Sequence, residues 1–171
     1  MINLILNVSL YYSFCTNVYI DLTNAEPSEE NLAVCSLLIE DAKSLDVKIE
    51  NVLSIAWAES RFTEQHKPTR YKCFGPLQIK YKYWCPDISG NFPSPQGDGI
   101  ISNCDSFYHG VKTIKYYLKK FKPFNKAVCY YNNSNKCKEN LKYKTKYVLK
   151  VLKTKKIISR ILKNKKFKNS L

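Results

Sequence analysis

A carboxylate set into an apolar helical stripe constrains this chain more than any other feature. In VLSIAWAESRF, residues 52–62, Glu59 follows Val52, Ile55 and Ala56 at helical spacing, so it shares their face. A carboxylate on a buried face carries a desolvation penalty unless it is protonated or paired. Apolar surroundings raise its pKa, which suits a general acid working near neutral pH. A Glu near a helix end more commonly bends out to solvent. Here the company it keeps, with CFGPLQI following at 73–79, argues for chemistry.

The 171 residues suffice for one domain with extensions and a sizeable core. Hydrophobic content of 44% with 13% aromatics indicates a folded chain. The formal net charge of +14 favours polyanionic partners or surfaces: nucleic acid, acidic lipid or an anionic cell wall. Part of the Lys, Asn, Ile and Tyr excess matches the drift of an AT-rich genome.

Residues 2–20 are mostly apolar and uncharged. Thr23 and Ala25 supply small residues for a leader cut ahead of Glu26, giving a first segment at 1–25. No Lys or Arg follows Met1, and Asn3, Asn7 and Asn17 make a poor membrane span. A cleaved leader, an uncleaved anchor and a buried N-terminal segment are the three readings. The seven cysteines favour export: a cut after Ala25 removes Cys15 and leaves six, enough for three bridges. Their connectivity is not readable from spacing. No CxxC pair exists, and His66 and His109 lie far apart, so neither a metal nor an organic cofactor is expected.

The folded part begins near Pro27, where Ser28 with Glu29 and Glu30 reads as a helix start. Leu32, Cys35, Leu38, Ile39, Ala42 and Leu45 recur at helical spacing. Asp46 is expected to cap a second helix, Val47 to Ser60, with Ile49, Val52, Leu53, Ala56 and Trp57 inward. Arg61 to Cys73 is polar and broken by Pro68, an exposed loop. Gly75 and Pro76 then form a turn, and Gln78 offers the donor and acceptor that read a sugar hydroxyl or acetamido group. Tyr71, Tyr81, Tyr83 and Trp84 have flat faces suited to sugar rings, though core packing is as common for such residues. Asp87 to Asp105 is rich in Gly and Pro and reads as loop. A helix is expected from Ser106 to Phe121, ended by Pro123, and a buried one over Lys126 to Tyr131, closed by a turn at Asn132 to Asn135. From Lys136 to Lys168 Lys dominates, and an apolar stripe from Tyr147 to Leu162 marks one or two basic amphipathic helices.

Four segments in order resemble the lytic transglycosylases with a soluble-transglycosylase catalytic domain, which share the goose-type lysozyme fold. They are AWAESRF, GPLQI, NCDSFYHGVKTIKYYL, and AVCYYNNS followed by YVLKVL, covering residues 31–152. The resemblance implies a mainly α (α+β lysozyme-like) fold: one small helical domain, residues 26–152, with a catalytic cleft, then a basic helical extension at 153–171. It is nearest to small single-domain enzymes that open peptidoglycan for a secretion apparatus, or phage proteins doing so. It implies Glu59 as the single catalytic acid, with Ser60, Gln78, Tyr131 and Asn132 positioning the sugars, and Gly75 and Tyr83 beside them. Pro76 and Leu77 inside the Gln motif, Cys129 and Tyr130 before the Tyr-Asn pair, and Asn133-Ser134 in place of small residues depart from the family pattern. Invertebrate-type lysozymes show a similar Cys-x-Gly-x-x-Gln-Ile-Lys run but carry an Asp shortly before it, and residues 61–72 contain Glu64 and no Asp.

With one carboxylate in place, the implied reaction cleaves the N-acetylmuramate–N-acetylglucosamine bond to a 1,6-anhydro product. Hydrolysis becomes the alternative if Glu64, Asp87, Asp98 or Asp105 holds a water across the cleft. The expected location is outside the cell, in the envelope, or on a virion. The Lys-rich tail is expected to meet an anionic wall polymer or a membrane surface. The alternative of another class is an anionic-surface or nucleic-acid binder on a degenerate lysozyme-like scaffold. Scarce Arg and the lack of a phosphate loop argue against specific nucleic-acid recognition.

Overall fold

The computed structural model describes residues 2–64, 73–84, 105–139, 143–164 and 167. The protein is mainly helical, with α1 at Ile2–Thr23, α2 at Glu29–Ser44 and α3 at Ile49–Glu59. A two-stranded antiparallel hairpin follows, β1 at Cys73–Phe74 paired with β2 at Ile79–Lys80. Then come α4 at Tyr81–Trp84, α5 at Ser106–Lys120, α6 at Phe124–Glu139 and α7 at Lys146–Leu162.

The start of α2 is as expected. Ser28 Oγ accepts from the Asn31 amide, and Asn31 Oδ1 accepts from the Ser28 backbone, so each satisfies a donor the helix leaves open. Asn31 also donates through Nδ2 to the carbonyl oxygens of Phe62 and Arg61, at 3.2 and 3.4 Å. One side chain thus ties the first turn of α2 to the exit of α3.

α3 is the central helix, with Ile49, Val52, Leu53, Ile55, Ala56 and Trp57 all buried. It packs against α2 on one side and α7 on the other. Its cap is Lys48, not Asp46, which sits in the preceding turn at positive φ. Beyond Ser60 the chain reverses through Arg61 and Phe62, both at positive φ. Arg61 is exposed as expected, but Phe62 is fully buried, edge-on to Trp57 at 5.3 Å, so the loop is anchored to the core at its second residue. Burial of that ring offsets the cost of left-handed backbone.

Both chain ends pack into the core of the described structure. Residues 2–23 form a helix whose Phe14 and Val18 are fully buried, and Cys15 is bonded to Cys35 of α2. Tyr19 meets Trp57 edge-on at 5.4 Å. In the uncut chain Cys15 is therefore paired, where the count after a cut leaves it out. At the other end, the boundary at 152 falls inside α7. Val148, Val151, Thr154, Ile158 and Ile161 are buried from one end of that helix to the other. Phe167 packs on Phe14 at 5.3 Å. The apolar stripe expected from Tyr147 to Leu162 is thus the buried face, and Lys residues fill the outer positions.

The second disulfide, Cys129–Cys137, spans Asn133, whose non-helical backbone kinks α6. The turn expected at 132–135 is therefore a kink within a helix that resumes. These two bridges among the described residues are compatible with an exported protein.

The hairpin turn seats α5. Gly75 has φ +71°, and a Cβ there would lie 2.5 Å from that of Ser106. Gly110 faces Leu77, with a Cβ placed 2.6 Å from Leu77 Cδ1, and Leu77 is fully buried. Gly110→Val should therefore lower stability by roughly 2 kcal/mol in urea denaturation, since overpacking a filled site exceeds the small gain in helix propensity. A variant as stable as the parent would show that Leu77 can retreat.

Candidate active site

Glu59 ends α3, where unsatisfied carbonyls give a helix its negative end and disfavour a carboxylate. Tyr147, in the first turn of α7, donates its hydroxyl to Glu59 Oε1 at 2.5 Å across a separation of 88 residues. Lys150, one turn on, donates to the Ala58 carbonyl at 2.9 Å. Burial pushes the Glu59 carboxyl up to about 7, against the opposing pull of the Tyr147 hydrogen bond and the Lys150 charge. A carboxyl poised there can donate a proton and take one back at neutral pH. Burial and the neighbouring Glu59 charge hold the Tyr147 phenol well above its ordinary range, so it stays a donor.

Tyr131, on α6, donates its hydroxyl to the Leu77 carbonyl at 2.5 Å, joining α6 to the hairpin turn. Its phenol is raised by burial first and next by the charge of Glu59, which places it within electrostatic reach of that carboxyl. Gln78 lies in the same turn at positive φ, and its side-chain amide donates to the Gly75 carbonyl at 2.9 Å. The end of α3, the 75–78 turn, α6 and the start of α7 therefore converge.

Other candidate residues fall differently. Ser60 is buried, and its hydroxyl donates to the Ala56 carbonyl oxygen at 3.2 Å, finishing α3. Asn132 is exposed beside the kink. The neighbour set by Gly75 is Ser106. Tyr83 is 67% exposed on α4, and Trp84 beside it packs against Tyr116 at 5.3 Å and Tyr117 at 6.2 Å. Tyr117 continues to Tyr131 at 5.8 Å, so aromatic rings run from α4 across α5 to the neighbourhood of Glu59. Such faces suit sugar rings.

Of the carboxylates considered as partners of Glu59, Asp105 caps α5, accepting from the Phe107 and Tyr108 amides. Its charge acts on Asp41 of α2, which burial and Asp105 together raise to about 6. The Glu64 backbone amide donates to Glu30 at the start of α2. Asp87, Asp98 and Tyr71 lie outside the described residues, as do Cys85 and Cys104. Among the described residues no cluster of His, Cys, Asp or Glu could hold a metal ion.

Tyr147 was visible in the sequence only as one apolar-stripe position of a basic helix. Nothing local marks it as a partner for Glu59. Tyr147→Phe should move the Glu59 titration upward, because the removed hydrogen bond favours the carboxylate. Carboxyl-carbon NMR would read this, and a midpoint that falls or stays fixed would remove Tyr147 from the proton chemistry.

No protein-family model, curated protein or solved structure matches the chain.

Proposed function

We propose that this protein is a peptidoglycan lytic transglycosylase using Glu59 as its single acid and base. The observation that carries the reading is the buried Glu59 carboxyl, raised to about 7 and gripped by Tyr147, beside Tyr131 and the Gln78 turn. The family resemblance supplies the substrate class.

In the first step Glu59 gives its proton to the oxygen bridging N-acetylmuramate and N-acetylglucosamine, and the C1–oxygen bond breaks. The muramate acetamido group steadies the cationic C1. Glu59, now a carboxylate, takes the proton of the muramate 6-hydroxyl, whose oxygen bonds to C1. The product is a 1,6-anhydro sugar, and no water is consumed. Tyr147 stabilises the carboxylate of the second step by the bond that lowers its pKa. Hydrolysis needs a second carboxylate across the substrate from Glu59. Asp105 is instead engaged at the α5 cap beside Asp41.

Mass spectrometry of muropeptides released from purified peptidoglycan tests the proposal. Anhydro ends are expected. Reducing ends, heavier by one water, would make the protein a hydrolase, and release of nothing by the oxidised protein would end the enzymatic reading.

A further inference from the structure

The C-terminal half of α7 forms a second surface, remote from Glu59. Tyr147 and Arg160 are thirteen residues apart on one helix, which separates them by roughly 20 Å along its axis. Between this half of α7 and the start of α6 lies an open groove of about 750 Å³. Phe124, Leu152 and Ile157 give it an apolar floor. Among the described residues its cations are Lys155, Lys156, Arg160 and Lys163, and none of those lining it is acidic.

Apolar and cationic groups are in contact here rather than segregated. Lys155 Nζ lies 3.9 Å from the Phe124 ring centroid. Burial holds its ammonium below the ordinary lysine range, with Lys48 pushing the same way and Glu50 opposing. Arg160 meets Asp21 of α1 at 2.9 Å, and both side chains are well exposed. An exposed pair of that kind is held weakly enough for the guanidinium to turn to another anion. Leu152 and, one turn earlier, Leu149 are exposed at 36% and 51%, so the apolar strip continues outward along α7.

Cations alone would suit any polyanion, and an apolar floor alone any greasy surface. Their interleaving suits a ligand with a phosphate head and an acyl body, met where a bilayer changes from headgroup to hydrocarbon. No described helix is long and apolar enough to cross a membrane, so the contact considered is with its surface. We propose that this groove docks the protein on an anionic bilayer. Lys156, Arg160 and Lys163 take lipid phosphates while Phe124, Leu152 and Ile157 meet the acyl boundary.

Flotation of the full chain with phosphatidylcholine vesicles, with and without phosphatidylglycerol, tests this. Binding is expected only to the anionic vesicles. Replacing Lys156, Arg160 and Lys163 together by Gln should weaken it about 100-fold, from the usual contribution of a basic residue at such a surface. A variant of equal net charge, with Lys112, Lys119 and Lys122 on and after α5 changed to Gln, should lose less than about fivefold. Leu152→Ser, at an exposed position that thermal melting can confirm as folded, should also weaken binding. Equal loss in both charge variants would reduce the effect to net charge and overturn the groove. No loss in Leu152→Ser, or no vesicle binding by the native chain, would do the same. Tighter groove-dependent binding to a soluble polyglycerol-phosphate wall polymer than to vesicles would replace the membrane with the wall.

Discussion

Glu59→Gln is expected to abolish strand cleavage and to make the folded protein more stable above neutral pH. The amide keeps the size of the side chain and an oxygen able to accept from Tyr147, but it has no proton to give. Loss of a positioned acid costs about 10²–10⁴-fold in rate. In the parent, cleavage should fall as pH rises through about 7, where the donating form of Glu59 is depleted. The stability effect follows from the same shift. The folded protein holds this proton up to about 7, whereas the ordinary value is 4.5. Below 4.5 both states are protonated, and between the two values folding is coupled to proton uptake. The contribution of Glu59 to stability is therefore present at low pH and lost as pH rises through about 7. The gap corresponds to about 3 kcal/mol. Urea denaturation at pH 5 and pH 8 should show a steeper loss of stability in the parent than in the variant, which keeps only the smaller contribution of Asp41. An unchanged slope would mean that Glu59 titrates as an ordinary carboxyl.

The second large effect is expected at the other end of the chain. A protein beginning at Glu26 should not fold cooperatively. It lacks the fully buried Phe14 and Val18, the Tyr19 contact to Trp57, and the bridge from Cys15 to Cys35. Loss of one buried Phe commonly costs about 3–5 kcal/mol, and loss of one disulfide about 2–5 kcal/mol. Together these approach the whole stability of a domain this size, about 5–15 kcal/mol. Denaturation followed by near- and far-ultraviolet circular dichroism would decide. A sharp transition in the shortened chain would show that α1 is an attachment rather than part of the core.

The parts legible in the sequence are those governed by near neighbours. Ser28 announced α2, the Leu32-to-Ala42 stripe gave its buried face, and the residues around Glu59 marked its helix. What was not legible depends on distant partners. Tyr147 gains its meaning only from Glu59. Ser60 looked like a sugar contact, yet bonds back to Ala56. The apolar run before Thr23 reads as a leader, an anchor or a buried segment, and its contacts with Cys35 and Trp57 depend on residues far along the chain. In α7 the apolar stripe was legible but its partners on α3 and α1 were not, so the boundary drawn at 152 fell within one helix.

The separation of 88 positions from Glu59 to Tyr147 also sets an order of events during synthesis. Helices α2 and α3 can pair as soon as they leave the ribosome, because their contacts are local. The carboxyl meets its phenol only when α7 has emerged and found its place. A chain released before that helix carries Glu59 without the bond to Tyr147. Completion of the polypeptide is thus a condition for completion of the site, and a truncated product is left with an unfinished one.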